Sequence, residues 1–242
     1  MQNKKRLIGL DVFRGWAIVL MVIFHFSYDI YYFNIIDFQI QTNTFFIWFR
    51  FLIVSIFLLT VGMSLKLAHQ TEINWSSLKE RTLYLGVASF LVTISSYIIF
   101  PNSWIYFGIL HFILVASFIV LPLLNYPYLS LIIAITTFIA FHLNILNMHW
   151  LFNILVTPLH LPPTISVDVV RFVPWISFVL VGISMVSLGW HQRIFNRGFF
   201  NKRGKLNNFF SFLGKHSLLI YIIHQPILFG IFILLKEVKL YN

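Results

Sequence analysis

Seven runs of about 20 mostly apolar residues constrain the fold of this chain more than any other feature. Runs of this length cross a bilayer as α-helices, because a helix satisfies every backbone N–H and C=O group within the segment. Charged residues make up 10% of the chain, against about 25% in soluble domains. We therefore expect an all-α, polytopic integral membrane bundle that forms a single domain over residues 1–242. The predicted spans are 10–33, 45–67, 80–100, 104–124, 127–146, 169–189 and 215–236.

Lys and Arg residues are distributed unevenly between the segments outside these spans. Residues 1–6, residues 66–81 and the long 190–215 loop together hold twelve of the seventeen, and the end of the chain holds two, Lys236 at the end of the last span and Lys239 after it. Basic residues concentrate in cytoplasmic loops. We therefore expect a cytoplasmic N-terminus, an exported C-terminus and a location in the cytoplasmic (plasma) membrane. This distribution also accounts for the net charge of +10, so we expect a lipid bilayer and not a nucleic acid as the partner.

The first span carries four ionisable residues, Asp11, Arg14, His25 and Asp29. Such residues are costly at membrane depth and usually face a bundle interior or a water-filled cavity. At roughly 100° per residue, Arg14 and His25 return to within about 20° of each other, and both aspartates lie within about 60° of that line. The spacing predicts a polar stripe along one face of the first helix.

Two pairs in this stripe have different interpretations. Asp11 and Arg14 are three residues apart and can form a structural ion pair, or Arg14 can meet an anionic ligand such as a phosphate. His25 and Asp29 are four residues apart, so we expect the carboxylate to orient the imidazole as an acid–base histidine. The alternative for His25 is a packing residue held by hydrogen bonds.

Polar residues in the other spans are candidates for binding a substrate. Arg50 lies near the outer end of the second span, where it lines a site or reaches the membrane interface. His111 lies too deep in the fourth span to reach the interface easily. Asp168 and Arg171 open the sixth span, where they form a pair or hold the outer side of a cavity, and Trp175 follows them.

The last span contains a polar patch, His224-Gln225, followed by Pro226, which also leaves a backbone carbonyl without its helical donor. We include both polar residues among the substrate-binding candidates. None of the histidines has the spacing of metal ligands, so we expect no metal site.

Five motifs follow one another along the chain: LDVFRGWAIVLMVIFHFSYD, FRFLIVSIFLLTVGMSL, YFGILHFI, DVVRFVPWISFVLVGI and LGKHSLLIYIIHQPIL. They resemble those of the bacterial relatives of the heparan-alpha-glucosaminide N-acetyltransferase catalytic domain, and the similarity covers nearly the whole chain. The arrangement of Arg14 and His25 also looks like that of transmembrane acyltransferases that modify surface sugars.

This resemblance implies transfer of an acyl group, chiefly acetyl, from cytoplasmic acyl-CoA to a sugar or amino-sugar acceptor at the membrane or its outer side. It implies His25 as the base or acyl carrier, with Asp11 and Arg14 at the end that faces CoA. Basic residues of the inner segments would meet the CoA phosphates together with Arg14: Lys66, Arg81, Arg193 or Arg197.

Two other classes of protein remain open from the residues alone. A transporter or flippase of a small polar or lipid-linked substrate would use the charged stripe as a relay, without cleaving a thioester. A non-catalytic membrane protein of envelope assembly would use the same residues only for packing.

Overall fold

The structure is a computed structural model that describes residues 7–37, 39–70, 72–146, 154–159, 161–162, 169–195, 200 and 204–240, with side chains described as far as residue 237. In these residues the chain forms α-helices and a short 3-10 helix at Leu121–Leu123, without strands. The α-helices are α1 (Ile8–Tyr32), α2 (Thr44–Ala68), α3 (Trp75–Ile99), α4 (Ile109–Ile119), α5 (Pro127–His142), α6 (Phe172–Ser187), α7 (Trp190–Phe195), α8 (Lys205–Lys215) and α9 (Ser217–Leu240).

Four of these helices are long and apolar enough to cross a membrane, namely α1, α2, α3 and the Ser217–Glu237 part of α9. They coincide with four predicted spans. The other three predicted spans contain the shorter apolar helices α4, α5 and α6, of 11, 16 and 16 residues. About 20 residues are needed to cross the hydrocarbon core as a straight helix. The protein is therefore an all-α integral membrane protein, and the count of seven spans stays a prediction.

The chain divides into two compact units, Met1–Phe57 with Gln192–Asn242, and Leu58–His191. Helix α2 begins in the first unit and ends in the second. The single domain that we expect over residues 1–242 stays a prediction.

In the first unit, α1 packs against α8, α9 and the beginning of α2. Buried Ile18 and Met21 of α1 meet Ile53 of α2, and Ile220 and Tyr221 of α9 pack against this cluster. His25 contacts His224, and Phe33, at the end of α1, contacts Phe229 further along α9, so the two helices run parallel. Parallel first and last helices agree with an odd number of crossings. The cytoplasmic position of the N-terminus stays a prediction.

The 190–215 segment is not the loop that the sequence analysis assumed, because α7 and α8 form within its described part. Helix α8 buries Asn207, Phe210, Ser211 and Gly214 on one face and is too short to appear as a membrane span. It runs antiparallel to α1 in backbone contact. A Cβ atom at Gly15 would overlap the carbonyl oxygen of Phe210, and one at Gly214 would overlap that of Asp11. Small residues permit such close approach between helices.

In the second unit, α3 pairs with α4 and α5 pairs with α6, both antiparallel. The end of α2 packs against α6 through two glycines, since a Cβ atom at Gly62 or Gly182 would overlap the opposite backbone. Helix α3 is capped by Asn74, whose side chain accepts a hydrogen bond from the N–H group of Ser77 at 3.0 Å.

Candidate functional site

The polar stripe of α1 is present in the structure as sequence spacing predicted, and it faces the neighbouring helices of the first unit. Asp11 and Asp29 are buried, with 3% and 0% exposure, and Arg14 and His25 are half-buried. Each end of the stripe contacts a different part of the chain: the α8 terminus at one end and the middle of α9 at the other.

At the first end, Asp11 and Arg14 form the predicted ion pair. Arg14 Nη1 lies 3.7 Å from Asp11 Oδ1 and donates a long 3.5 Å hydrogen bond to the carbonyl oxygen of Gly214. The last carbonyls of a helix lack intrahelical donors and carry a partial negative charge. Arg14 therefore caps the last turn of α8, and Asp11 neutralises the charge of Arg14.

At the other end, His25 faces a second histidine. The ring centroids of His25 and His224 are 4.7 Å apart, and the ring planes meet at 65°. Nδ1 of His224 lies 2.6 Å from the carbonyl oxygen of Tyr221, which fixes the ring against its own helix. The pair brings together two residues that are 199 positions apart in the sequence.

Asp29 does not form the expected hydrogen bond with His25. Asp29 Oδ1 instead accepts a 2.8 Å hydrogen bond from Nε2 of Gln225, across the interface between α1 and α9. An i, i+4 spacing allows two side chains on a helix to meet, but a neighbouring helix can supply a better donor. Here the primary amide of Gln225 reaches the buried carboxylate.

This cluster, which we call the α1–α9 polar cluster, consists of His25, Asp29, His224 and Gln225. Within the described residues, three of its buried atoms have no hydrogen-bond partner: Asp29 Oδ2, His224 Nε2 and Gln225 Oε1. Leaving a buried polar group unsatisfied costs about 1–3 kcal/mol. Buried polar atoms in proteins are nearly always hydrogen-bonded, so three such atoms within one cluster require an explanation.

A pocket of about 360 Å³ opens beyond the end of α1. Its lining is polar, with Tyr31, Asn34, Asp37, Gln39, Gln41 and Thr42 among its residues. Asn34 and Gln39 adopt positive φ angles of 55° and 46°, and Asp37 Oδ1 accepts a 2.9 Å bond from the backbone of Gln39. Tyr31 follows Asp29 by two residues, which is about half a helical turn, so the two side chains leave α1 in nearly opposite directions. The sequence analysis made no prediction for this connection.

His111 lies in the second unit with both ring nitrogens engaged. The backbone N–H of Gly108 donates to Nδ1 at 3.3 Å, so Nε2 carries the proton and donates to Thr93 Oγ1 at 3.1 Å. The Thr93 hydroxyl in turn donates to the carbonyl oxygen of Ile105 at 3.0 Å. This chain of hydrogen bonds fastens the start of α4 to α3. Its role in substrate binding stays a prediction.

The start of α6 lies beside the start of α4. The backbone N–H of Val170 donates to the carbonyl oxygen of Phe107 at 3.0 Å, and the rings of Phe112 and Phe172 are 5.4 Å apart. The exposed Arg171 is therefore a neighbour of the segment that carries His111.

The remaining substrate candidates have varied surroundings. Trp175 is half-buried and packs against Phe178, with a centroid distance of 5.8 Å. Arg50 is exposed on α2 in the first unit. Asp168 lies outside the described residues, so its pairing with Arg171 stays a prediction.

Two of the basic residues that were expected to meet a phosphate are instead bonded within the second unit. Lys66 is buried and donates to the carbonyl oxygen of Gln70 at 2.9 Å and to Asn125 Oδ1 at 3.0 Å. Arg81 Nε donates to Ser117 Oγ at 3.1 Å. Arg193 is exposed on α7, and Arg197 lies outside the described residues. Among the residues that the structure describes, no group of three or more His, Cys, Asp or Glu could hold a metal ion.

Every member of the α1–α9 polar cluster could be identified from the sequence, but the way in which they pair could not. Two signals were available. Gln225 directly follows His224, so the two side chains lie on the same stretch of α9. At the other end of α1, Gly15 and Gly214 each lie close to the charged pair and indicate a close helix contact, because such contact requires small residues.

Comparison with known proteins gives a family match. The family described as heparan-alpha-glucosaminide N-acetyltransferase, catalytic, matches residues 6–226, a range that includes both ends of the polar stripe and the whole α1–α9 polar cluster. No match was found among curated proteins or among solved structures. The family points to a membrane acetyltransferase. With a match over most of its length, the chain belongs to the heparan-alpha-glucosaminide N-acetyltransferase catalytic-domain family.

Proposed function

We propose that this protein transfers an acetyl or other acyl group from acyl-CoA to a sugar or amino-sugar acceptor, and that the transfer takes place at the α1–α9 polar cluster. The observation that carries the proposal is the pair of imidazoles, His25 and His224, beside the buried Asp29–Gln225 bond. Family membership supports the acetyltransferase class. The CoA donor and the sugar acceptor are our additions.

The reaction needs a proton acceptor and no metal. The amine or hydroxyl of the acceptor attacks the thioester carbonyl, the new N–C or O–C bond forms, and the C–S bond breaks to release CoA. A histidine of the pair takes the proton from the nucleophile and returns it to the sulfur of the leaving group. The sequence analysis assigned this role, or that of acyl carrier, to His25. Asp29 acts through Gln225, since their bond holds α1 and α9 in register.

Arg14 and Asp11 form the donor end of the proposed site. The bond from Arg14 to the Gly214 carbonyl is long, at 3.5 Å, so a phosphate oxygen of CoA can replace this weak acceptor with a charge-assisted one. The exposed Arg193 of α7 is a further candidate for the phosphates. Lys66 and Arg81 are less suited, because their bonds to Asn125 and Ser117 would have to break.

The polar pocket beyond α1 forms the acceptor end. Hydroxyls of a sugar can bond to its amide and hydroxyl groups, and Asp37 can hold an amino group. Arg50 of the same unit remains a proposed contact on the acceptor side, and substrate binding by His111, Arg171 and Trp175 stays a prediction. With the N-terminus in the cytoplasm, this pocket lies on the outer face of the cytoplasmic membrane, opposite the donor end.

The test is thioester cleavage by purified full-length protein, measured with a panel of acyl-CoAs and amino sugars. We expect release of CoA that depends on the acceptor and is fastest with acetyl-CoA. Flux of the sugar into vesicles without cleavage would favour a transporter and contradict the proposal. The absence of both activities in folded protein would favour a packing role for the polar residues.

A further inference from the structure

The hydrogen bonds of His224 define its tautomer. Its Nδ1 lies 2.6 Å from the carbonyl oxygen of Tyr221. A carbonyl oxygen can only accept, so Nδ1 must carry a proton and donate it. In a neutral imidazole the other nitrogen is then a bare acceptor. Nε2 of His224 is that acceptor.

This acceptor is buried and unsatisfied. His224 is 8% exposed, and within the described residues its Nε2 has no hydrogen-bond partner. The His25 ring lies against the His224 ring at a 65° angle, so His25 packs against this imidazole without a hydrogen bond to it. A bare nitrogen in this position is ready to receive a proton from a bound ligand.

The neighbouring unsatisfied atoms specify the kind of ligand. Asp29 Oδ2 and Gln225 Oε1 are also acceptors, so the α1–α9 polar cluster has three unfilled acceptors. The carbonyl of a thioester offers only acceptors and cannot complete such a set. An amine offers two hydrogens and a hydroxyl offers one, so either group can fill part of the set. The nucleophile of the acceptor therefore fits the cluster better than the acyl group of the donor does.

We infer that His224, and not His25, is the base of the proposed acyl transfer, an inference that rests on the proposed function. Nε2 of His224 takes the proton from the attacking nitrogen or oxygen as the bond to the acyl carbon forms, and it gives that proton to the CoA sulfur as the C–S bond breaks. When the nucleophile is an amine, Asp29 Oδ2 or Gln225 Oε1 accepts its second hydrogen. His25 is a positioning residue that packs against the ring of the base.

Two substitutions separate a base from a structural histidine. His224→Asn keeps an N–H donor near the position of Nδ1, so it preserves the bond to Tyr221, but it lacks Nε2. His224→Gln places its amide one bond further out. We expect both variants to lose about 10²–10⁴-fold in acetyl transfer to glucosamine while the affinity for CoA stays unchanged. Added imidazole should restore part of the activity of His224→Asn. Near-normal transfer by His224→Asn would show a structural role and overturn the inference.

A second measurement does not depend on turnover, and it needs only one of the two variants to fold. Nitrogen NMR of wild-type protein labelled with 15N-histidine reports which ring nitrogens carry protons, and the change in signals in His224→Asn or His224→Gln identifies His224. We expect a protonated Nδ1 and a bare Nε2, and the reverse tautomer would overturn the inference. Failure of wild-type protein to transfer acetyl would overturn the proposed function and the base role with it. Active wild-type protein with active His224→Asn would overturn the base role alone.

Discussion

The bond between Gln225 and Asp29 gives the most quantitative prediction for stability. Asp29 is completely buried, and its Oδ1 accepts the 2.8 Å bond from Gln225 Nε2. In Gln225→Leu the carboxylate loses the donor to Oδ1, and within the described residues Oδ2 has no partner, so the buried group keeps no hydrogen bond. Stranding a buried group in this way costs about 1.5–3 kcal/mol when the lost bond was to a charged group. For a chain of this size, each kcal/mol lowers the melting temperature by about 2–4 °C, so we expect a fall of about 3–12 °C.

A double-substitution cycle tests the cause of this loss. Asp29→Leu leaves the Gln225 amide without its acceptor and should also destabilise the protein. The combined Asp29→Leu and Gln225→Leu variant removes both polar partners, so it should lose less stability than the two single variants added together. The assay is thermal unfolding of purified full-length protein in detergent, followed by intrinsic fluorescence.

The matched control is Gln192→Leu, which makes the same chemical change at an exposed position of α7. We expect its melting temperature to equal that of the wild type. The reasoning would be refuted if Gln225→Leu melted like Gln192→Leu, or if the losses in the two single variants were simply additive.

Four further predictions concern the helix contact, the second histidine site, the donor end and the topology. Gly214→Ala should separate α8 from α1, because the new methyl group overlaps the Asp11 carbonyl, and it should cost about 1–3 kcal/mol in thermal unfolding. Gly86→Ala, which meets nothing within 4 Å, should be neutral or slightly stabilising. His111→Ala should lower the melting temperature, because both ring nitrogens serve the α3–α4 connection; an unchanged melting temperature would contradict this. Arg14→Ala should weaken CoA binding measured by calorimetry. CoA should bind more tightly than dephospho-CoA, and added salt should weaken its binding. If the affinity did not change with the variant, the phosphate count or the salt, the donor site would not lie at this end of α1. A reporter fused after Asn242 should be exported, and a cytoplasmic reporter would mean that the spans have been miscounted.

Features that depend on local sequence could be predicted well. Apolar run length identified the four long helices, and a spacing of three residues identified the Asp11–Arg14 pair. A helical periodicity of 3.6 residues also placed Asp11, Arg14, His25 and Asp29 on one side of α1. Each of these properties follows from the geometry of a single helix.

Features that depend on which helices pair could not be predicted in the same way. The spacing of His25 and Asp29 allowed them to bond, but it gave no information on the Gln225 amide that approaches from α9. For the same reason the contact between His25 and His224 was missed. Helix α8 escaped notice because it is short, and its buried face includes the polar residues Asn207 and Ser211.

The most direct test of the central claim is a sided transfer experiment in proteoliposomes. Labelled acetyl-CoA is supplied on the side predicted to be cytoplasmic and glucosamine on the other side, with the orientation checked by protease access. We predict that labelled acetyl appears on the amino sugar in equal amount to the CoA released, and that His224→Asn abolishes both. Entry of the sugar into the vesicles with the thioester intact, or CoA release that leaves no acetyl on the sugar, would contradict the claim.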